Sequence, residues 1–258
     1  MNWFERLHYL NIKVPGDVIH RTSDRHGDIF VFDDMDYRML NFNSPFEQSS
    51  MSLSHPYRLT HTYTQLMILV LAYIQPNHIS LLGLGGGSLL RTLHKVLPEC
   101  FFTVIELREQ VLAVAKEYFF IPIDKRVNFI INDAIIEIKK TKKACSDIIF
   151  SDLFGPYNVV PAQAQYSFLK ECYRTLTSNG WLVMNFHKLP DNEDIFLRKL
   201  RLIFPTVIIG SEAGHFIIFA SKSKASLLTT NTDRIESIEE HTQQDLLSLL
   251  LQLKHCSL

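Results

Sequence analysis

The stretch Ile79–Glu106, ISLLGLGGGSLLRTLHKVLPECFFTVIE, limits the fold more than any other part of the chain. Ile79–Leu82 is a short apolar run of the kind a buried parallel strand shows. Gly83-Leu84-Gly85-Gly86-Gly87 lets the backbone turn tightly and lets a ligand approach with no Cβ in the way. Ser88–Leu97 carries Leu89, Leu90, Leu93 and Leu97 at helical spacing, and Pro98 ends that helix. Phe101–Ile105 is a second apolar run with Glu106 at its tip. Strand, glycine turn, helix and strand predict a nucleoside site. A carboxylate at the tip of the second strand can take both hydroxyls of a ribose, while the turn packs against the nucleoside.

The turn also bears on the ligand. A dinucleotide fingerprint wants G-x-G-x-x-G, and here the sixth position is Ser88. The spacing G-x-G-x-G fits nucleoside-sulfonium transferases of the S-adenosylmethionine type better than NAD enzymes. Near the end of the chain, Thr206–Ile209 and His215–Ala220 read as strands joined by a hairpin. An antiparallel pair closing a parallel sheet is the methyltransferase-type ending, which moves the reading further from NAD. His215 in this hairpin reads as structural.

Bulk properties exclude several classes. A net charge of −1 over 258 residues gives no strong field for nucleic acid or a membrane surface. No apolar run is long enough to span a bilayer. The four cysteines are scattered without a C-x-x-C pair, so neither a disulfide framework nor a zinc site is expected. No basic-then-apolar leader opens the chain, and a cytoplasmic location is expected.

The remaining elements follow from periodicity. Residues 1–18 could form a short amphipathic helix or an arm. Ile29–Phe32 and Tyr37–Phe42 are β-rich runs around a turn, and residues 1–54 are expected to form a small β subdomain. Phe46–Ser54 reads as a polar loop and Tyr57–Ile74 as a helix bearing Tyr63. Arg108–Phe119 reads as a helix and Val127–Ile131 as a strand. Asp133-Ala134 stands at that strand's end, where the carboxylate and a backbone N–H could meet an adenine edge or Asp133 could cap a helix. Asp147–Phe150 is the next strand, and its C-terminal end places Asp152 on the ligand side. Tyr157–Gln165 is a loop long enough for a lid. Residues 55–222 are expected to form the nucleoside-binding domain, and 223–258 a linker with one amphipathic helix, Asp233–Leu253.

Together these motifs resemble the spermidine synthase (polyamine aminopropyltransferase) family, over about residues 20–220. The resemblance rests on Gln48-Ser49-Ser50-Met51, Tyr63, Gly85-Gly86-Gly87, Glu106, Asp133-Ala134 and Asp152 before Gly155-Pro156. It implies an α/β fold: a seven-stranded, doubly wound, methyltransferase-like (Rossmann-like) sheet behind a small N-terminal β subdomain, commonly in dimers or tetramers. It implies decarboxylated S-adenosylmethionine as donor, a small di- or polyamine as acceptor, and no metal. By position, Gln48, Gly83, Gly85, Gly86, Gly87, Glu106, Asp133 and Ala134 would bind the donor. Asp152 would orient and deprotonate the amine, with Tyr63 beside it. The chain also departs from the family. Against the family's G-G-G-D-G-G turn, Ser88 stands where the aspartate is expected. Gly155 replaces the second acid of D-x-x-D-P, His26-Gly27 replaces a Tyr-Gln pair, and the late Pro-Thr-Tyr is Pro205-Thr206-Val207. The loss of acids leaves three readings open. They are aminopropyl transfer, methyl transfer from ordinary S-adenosylmethionine, and nucleoside binding without turnover.

Overall fold

The computed structural model describes residues 16–42, 47–154, 161–190, 192–212, 214–225, 228–251 and 253–255. The expected N-terminal helix, Gly155-Pro156 and the first part of the expected lid lie outside the described residues.

Two sheets organise the chain. The first is antiparallel, β1(Asp17–Asp24), β2(Gly27–Asp34), β3(Tyr37–Asn41) and β4(Glu47–Ser52), in that spatial order. The sequence reading missed β1 and took β4 for a loop, because EQSSMS is too polar to look like a strand. Its serines are nonetheless buried along with Met51, and Ser50 Oγ donates to Thr60 Oγ1 at 2.7 Å. Hydrogen bonds of this kind let hydroxyls occupy a buried strand.

The second sheet holds β5(His78–Leu82), β6(Phe101–Glu106), β7(Val127–Ile131), β8(Ser146–Ser151), β9(Leu176–Phe186), β10(Thr206–Glu212) and β11(His215–Ser221). A two-residue strand, β12(Lys254–His255), adds to its edge. The order is β12-β10-β11-β9-β8-β5-β6-β7. Pairing is parallel from β9 to β7, and β11 and β10 run antiparallel. The expected seven-stranded doubly wound sheet is therefore present. Strand β5 lies between β6 and β8, so the chain winds outward from it in both directions. Ligands bind such sheets in the crevice this reversal leaves beyond the strand ends.

Helices cover both faces. One side carries α1(Thr62–Ile68) with its 3-10 extension Leu69–Ala72, α2(Ser88–Val96) and α3(Glu109–Tyr118). The other carries α4(Ala134–Lys140), α5(Tyr166–Thr175) and α6(Glu193–Ile203). The apolar stripe read on α2 is the buried one: Leu89, Leu90 and Leu93 join Leu81, Phe102 and Val104 in one core. The helix expected from Tyr57 begins only at Thr62, and residues 53–61 connect it to β4. The expected C-terminal helix is broken into α7(Thr232–Thr242) and α8(Leu247–Leu250), with Gln243 in the left-handed region at φ 55°. Ile235 and Ile238 of α7 enter the α2 core, so this tail packs against the main sheet's helices.

The small sheet packs on α3. Ile29, Val31, Leu40 and Met51 bury against Val111, Val114 and Phe119. Arg108 reinforces the junction. Its guanidinium donates to both Asp24 carboxylate oxygens at 2.9 Å and to the Gly27 carbonyl at 2.7 Å. His26-Gly27 is thus a hairpin turn held by Arg108, and neither residue lines the cavity described next. No helix among the described residues is long and apolar enough to cross a membrane.

Candidate active site

A cavity of about 380 Å³ opens at the C-terminal ends of β5, β6 and β8, where the winding reverses. It gathers Gln48, Gly83, Gly85, Glu106, Asp133, Ala134, Asp152 and Tyr63. Gly86 and Gly87 do not line it. Gly86 packs against Ser49 and Phe119, and Gly87 packs against Ile121.

One end is built largely by backbone. Gly83 has φ +94°, and a Cβ there would stand 2.4 Å from the Asp152 carbonyl oxygen, so only glycine lets β5 and β8 close here. Glu106 ends β6 almost fully buried. Its Oε2 accepts the Leu84 N–H at 3.0 Å and its Oε1 the Arg108 N–H at 2.9 Å. Burial pushes its carboxyl up, against the pull of those N–H groups. Asp133 caps α4 by accepting the Ile135 N–H at 2.7 Å, as one of the two readings expected, and it also lines the cavity. Arg91 clamps the turn from behind. It is fully buried, and its Nη1 donates to the carbonyls of Gly86 at 3.2 Å and Phe119 at 2.8 Å. Burial pulls it down to about 10.

The position of the turn changes one sequence comparison. The turn starts at Gly83, directly after β5, so its six residues are Gly83–Ser88 and its fourth is Gly86. Counted from the strand, Gly86 and not Ser88 stands opposite the family's aspartate. The turn holds no acid in either register. A Cβ on Gly86 would approach Ser49 Oγ to 2.7 Å and Phe119 Cδ1 to 3.0 Å. Ser88 is buried at the cavity wall, and its Oγ has no hydrogen-bond partner among the described residues.

The other end is built by side chains from several segments far apart in sequence. Asp152, just past β8, accepts from Asn185 Nδ2 at 2.9 Å and from the Tyr63 hydroxyl at 3.3 Å. Burial pushes the Asp152 carboxyl up, and the bonds from Asn185 and Tyr63 only partly offset this. Burial and then the Asp152 carboxylate push the Tyr63 phenol well up, so Tyr63 keeps its proton and donates. The backbone of Asn185 is held in turn by Gln163, which donates to the Asn185 main-chain carbonyl at 3.0 Å and accepts from Ser151 Oγ at 2.8 Å. Aromatic rings wall this end. Tyr63 stacks on His215, His187 meets Phe154 and His215, and His61 stacks on Tyr63. His61 pairs with Glu47 at 3.0 Å. Burial is the largest influence on Glu47 and acts to raise it, but the bond and charge of His61 and a bond from Ser50 together outweigh it and leave the carboxyl low.

Sequence reasoning missed Glu47, His61, Asn185 and His187, and it took His215 for a structural residue. A signal existed only for Asn185 and His187. They lie at the C-terminal end of β9, and the strand-end rule that selected Asp152 applies there too. Pro205-Thr206-Val207 opens β10, and none of the three lines the cavity. Among the described residues, no three His, Cys, Asp or Glu side chains gather as a metal site.

No protein-family model matches the chain. The polyamine aminopropyltransferase of Neisseria meningitidis is 29% identical over 202 residues, 77% of either chain. That of Chromobacterium violaceum is 29% identical over 194 residues, 74% of either chain. The chain is similar to these polyamine aminopropyltransferases over about three quarters of its length. Among solved structures, a probable spermidine synthase from Corynebacterium glutamicum superposes with TM-score 0.74 at 18% identity, covering 93% of this chain and 90% of that one. Human Methyltransferase-like protein 13 in complex with SAH superposes with TM-score 0.58 at 22% identity, covering 70% and 90%. These two likenesses are of fold, and they show the chain on a scaffold shared by spermidine synthase and methyltransferase structures.

Proposed function

We propose that the chain is a polyamine aminopropyltransferase, moving an aminopropyl group from decarboxylated S-adenosylmethionine to a small amine. One observation carries the reading. A half-buried carboxylate, Asp152, lines the same cavity as Glu106 and Asp133 and is held by Asn185 and Tyr63. Glu106 would take the ribose, Asp133 and Ala134 the adenine, and Gln48, Gly83 and Gly85 would flank the donor; Gly86 and Gly87 would shape the turn from behind.

The chemistry then follows. An alkylamine has a pKa of about 10.4 and reaches the site as an ammonium. Asp152 accepts one proton, helped by its raised pKa. The freed lone pair attacks the propyl carbon bonded to sulfur. The C–N bond forms, the C–S bond breaks, and its electrons stay on sulfur as neutral methylthioadenosine. The sulfonium is already a good leaving group, so no metal is required. A cytoplasmic homodimer or homotetramer, and the three-part division at residues 54 and 222, complete this reading.

One observation favours methyl transfer instead. The turn has no acid for the amine of a decarboxylated donor, and Ser88 Oγ, at the start of α2, is buried with no partner among the described residues. A helix N-terminus suits the carboxylate of ordinary S-adenosylmethionine. Incubation with each donor and putrescine, followed by chromatography of the nucleoside product, decides between them. Methylthioadenosine is expected, and S-adenosylhomocysteine as the sole product would replace the proposal with methyl transfer.

A further inference from the structure

The amine end of the cavity contains a nitrogen to which the mechanism above gives no role. His215 opens β11 and lines the cavity beside Asp152. Its ring lies on Tyr63, centroids 4.6 Å apart at 16°, and its Nδ1 is 3.0 Å from Asn185 Oδ1. The network dictates where its hydrogen sits. An ionised Asp152 only accepts, so Asn185 must turn its NH2 toward that carboxylate. The Asn185 carbonyl oxygen then faces His215, and Nδ1 must carry the hydrogen. A neutral imidazole has one such hydrogen, so Nε2 keeps its lone pair. No hydrogen bond engages Nε2 among the described residues. Burial, and then His187 and His61 nearby, pull His215 down to about 4, which keeps the ring neutral near pH 7.

A primary amine about to attack directs its lone pair at the sulfonium carbon and has two N–H groups to satisfy. Asp152 can take one. We propose that His215 Nε2 takes the other, so that His215 is a recognition group for the acceptor amine. This inference rests on the amine-transferase reading of the site. It names the acceptor class as primary amines. A secondary amine has one N–H left once its lone pair is committed, and a tertiary amine has none.

The test uses calorimetric binding of putrescine to the full chain saturated with methylthioadenosine, at one pH. His215→Asn keeps an amide donor for Asn185 but has no atom at the Nε2 position. His215→Gln reaches toward that position, and His215→Phe keeps only the stacking. His215→Asn and His215→Phe are expected to weaken putrescine binding by about ten- to a hundredfold, the range of one hydrogen bond to a charged group. His215→Gln should recover part of the loss, with methylthioadenosine affinity and Tm unchanged in all three. Wild-type putrescine affinity in His215→Asn would reduce His215 to a prop for Asn185 and overturn the proposal. Wild-type protein that binds methylthioadenosine but no putrescine would also overturn it. Failure of the aminopropyl reading shows up separately, as S-adenosylhomocysteine in the product assay, whatever the binding series gives.

Discussion

The two ends of the cavity are built differently. The end proposed for the nucleoside comes from one continuous strand-turn-helix-strand unit and the next strand's tip, and its contacts are local. Glu106 holds the N–H of Leu84 and of Arg108, and Asp133 holds that of Ile135. The amine end comes from α1, the end of β8, the end of β9 and the start of β11, and its bonds join side chains far apart in sequence. Backbone-built sites tolerate side-chain drift, since an N–H exists whatever the residue. A convergent side-chain site changes character with each substitution. Under the proposed function, this contrast suits a chain with a backbone-built end for the donor and imidazoles walling the end for the acceptor.

The largest effect should come from breaking the amine end alone. Asp152→Asn is expected to lower kcat by about a hundredfold to ten-thousandfold, the usual range for a lost general base. Nucleoside affinity should stay at the wild-type value in a binding titration. Equal losses in both would mean that the two ends are not separable.

A second test cuts the brace between the small sheet and the nucleoside end. Arg108→Ala leaves Asp24 and the Gly27 carbonyl without their guanidinium, and should cost about 3 kcal/mol in chemical denaturation. Its pH signature has a definite sign. Burial is the largest influence on Asp24 and acts to raise it, but the Arg108 bond and charge together with the His26 N–H outweigh it and hold the folded-state pKa below the ordinary 3.8. The resulting stability is full above about that pH and is lost as pH falls through the lower folded value. That part of the acid limb of Tm against pH should disappear in Arg108→Ala. An unchanged limb would assign it to other carboxylates.

Glu106→Gln probes the nucleoside end itself. The amide can accept only one of the two N–H groups that Glu106 now receives, and it has no charge for the ribose. Donor affinity should fall by about ten- to a hundredfold in calorimetry. A kcat at saturating donor close to wild type would sharpen the division between the ends.

The smallest effect is expected at Ser88, whose buried hydroxyl bonds to nothing described. Ser88→Ala should change stability by less than about 1 kcal/mol. If that hydroxyl serves a donor carboxylate, the variant should lose affinity for ordinary S-adenosylmethionine and not for the decarboxylated form. Equal affinities before and after substitution would remove Ser88 from donor selection.

The sequence by itself determined the parallel sheet, the glycine turn, the strand-end acids Glu106, Asp133 and Asp152, and the antiparallel closing hairpin. Each is a local signal: an apolar run, a glycine cluster, or a polar residue at a strand tip. Only the tertiary structure decided that the serine-rich segment 47–52 is a buried strand, because its hydroxyls become acceptable only when partners such as Thr60 arrive. Only the tertiary structure set the turn's register and moved Gly86 and Gly87 out of the cavity. It alone brought Asn185 and His215 to Asp152. Those residues share no periodicity or spacing, and they meet because β9 lies between β8 and β11 in the sheet.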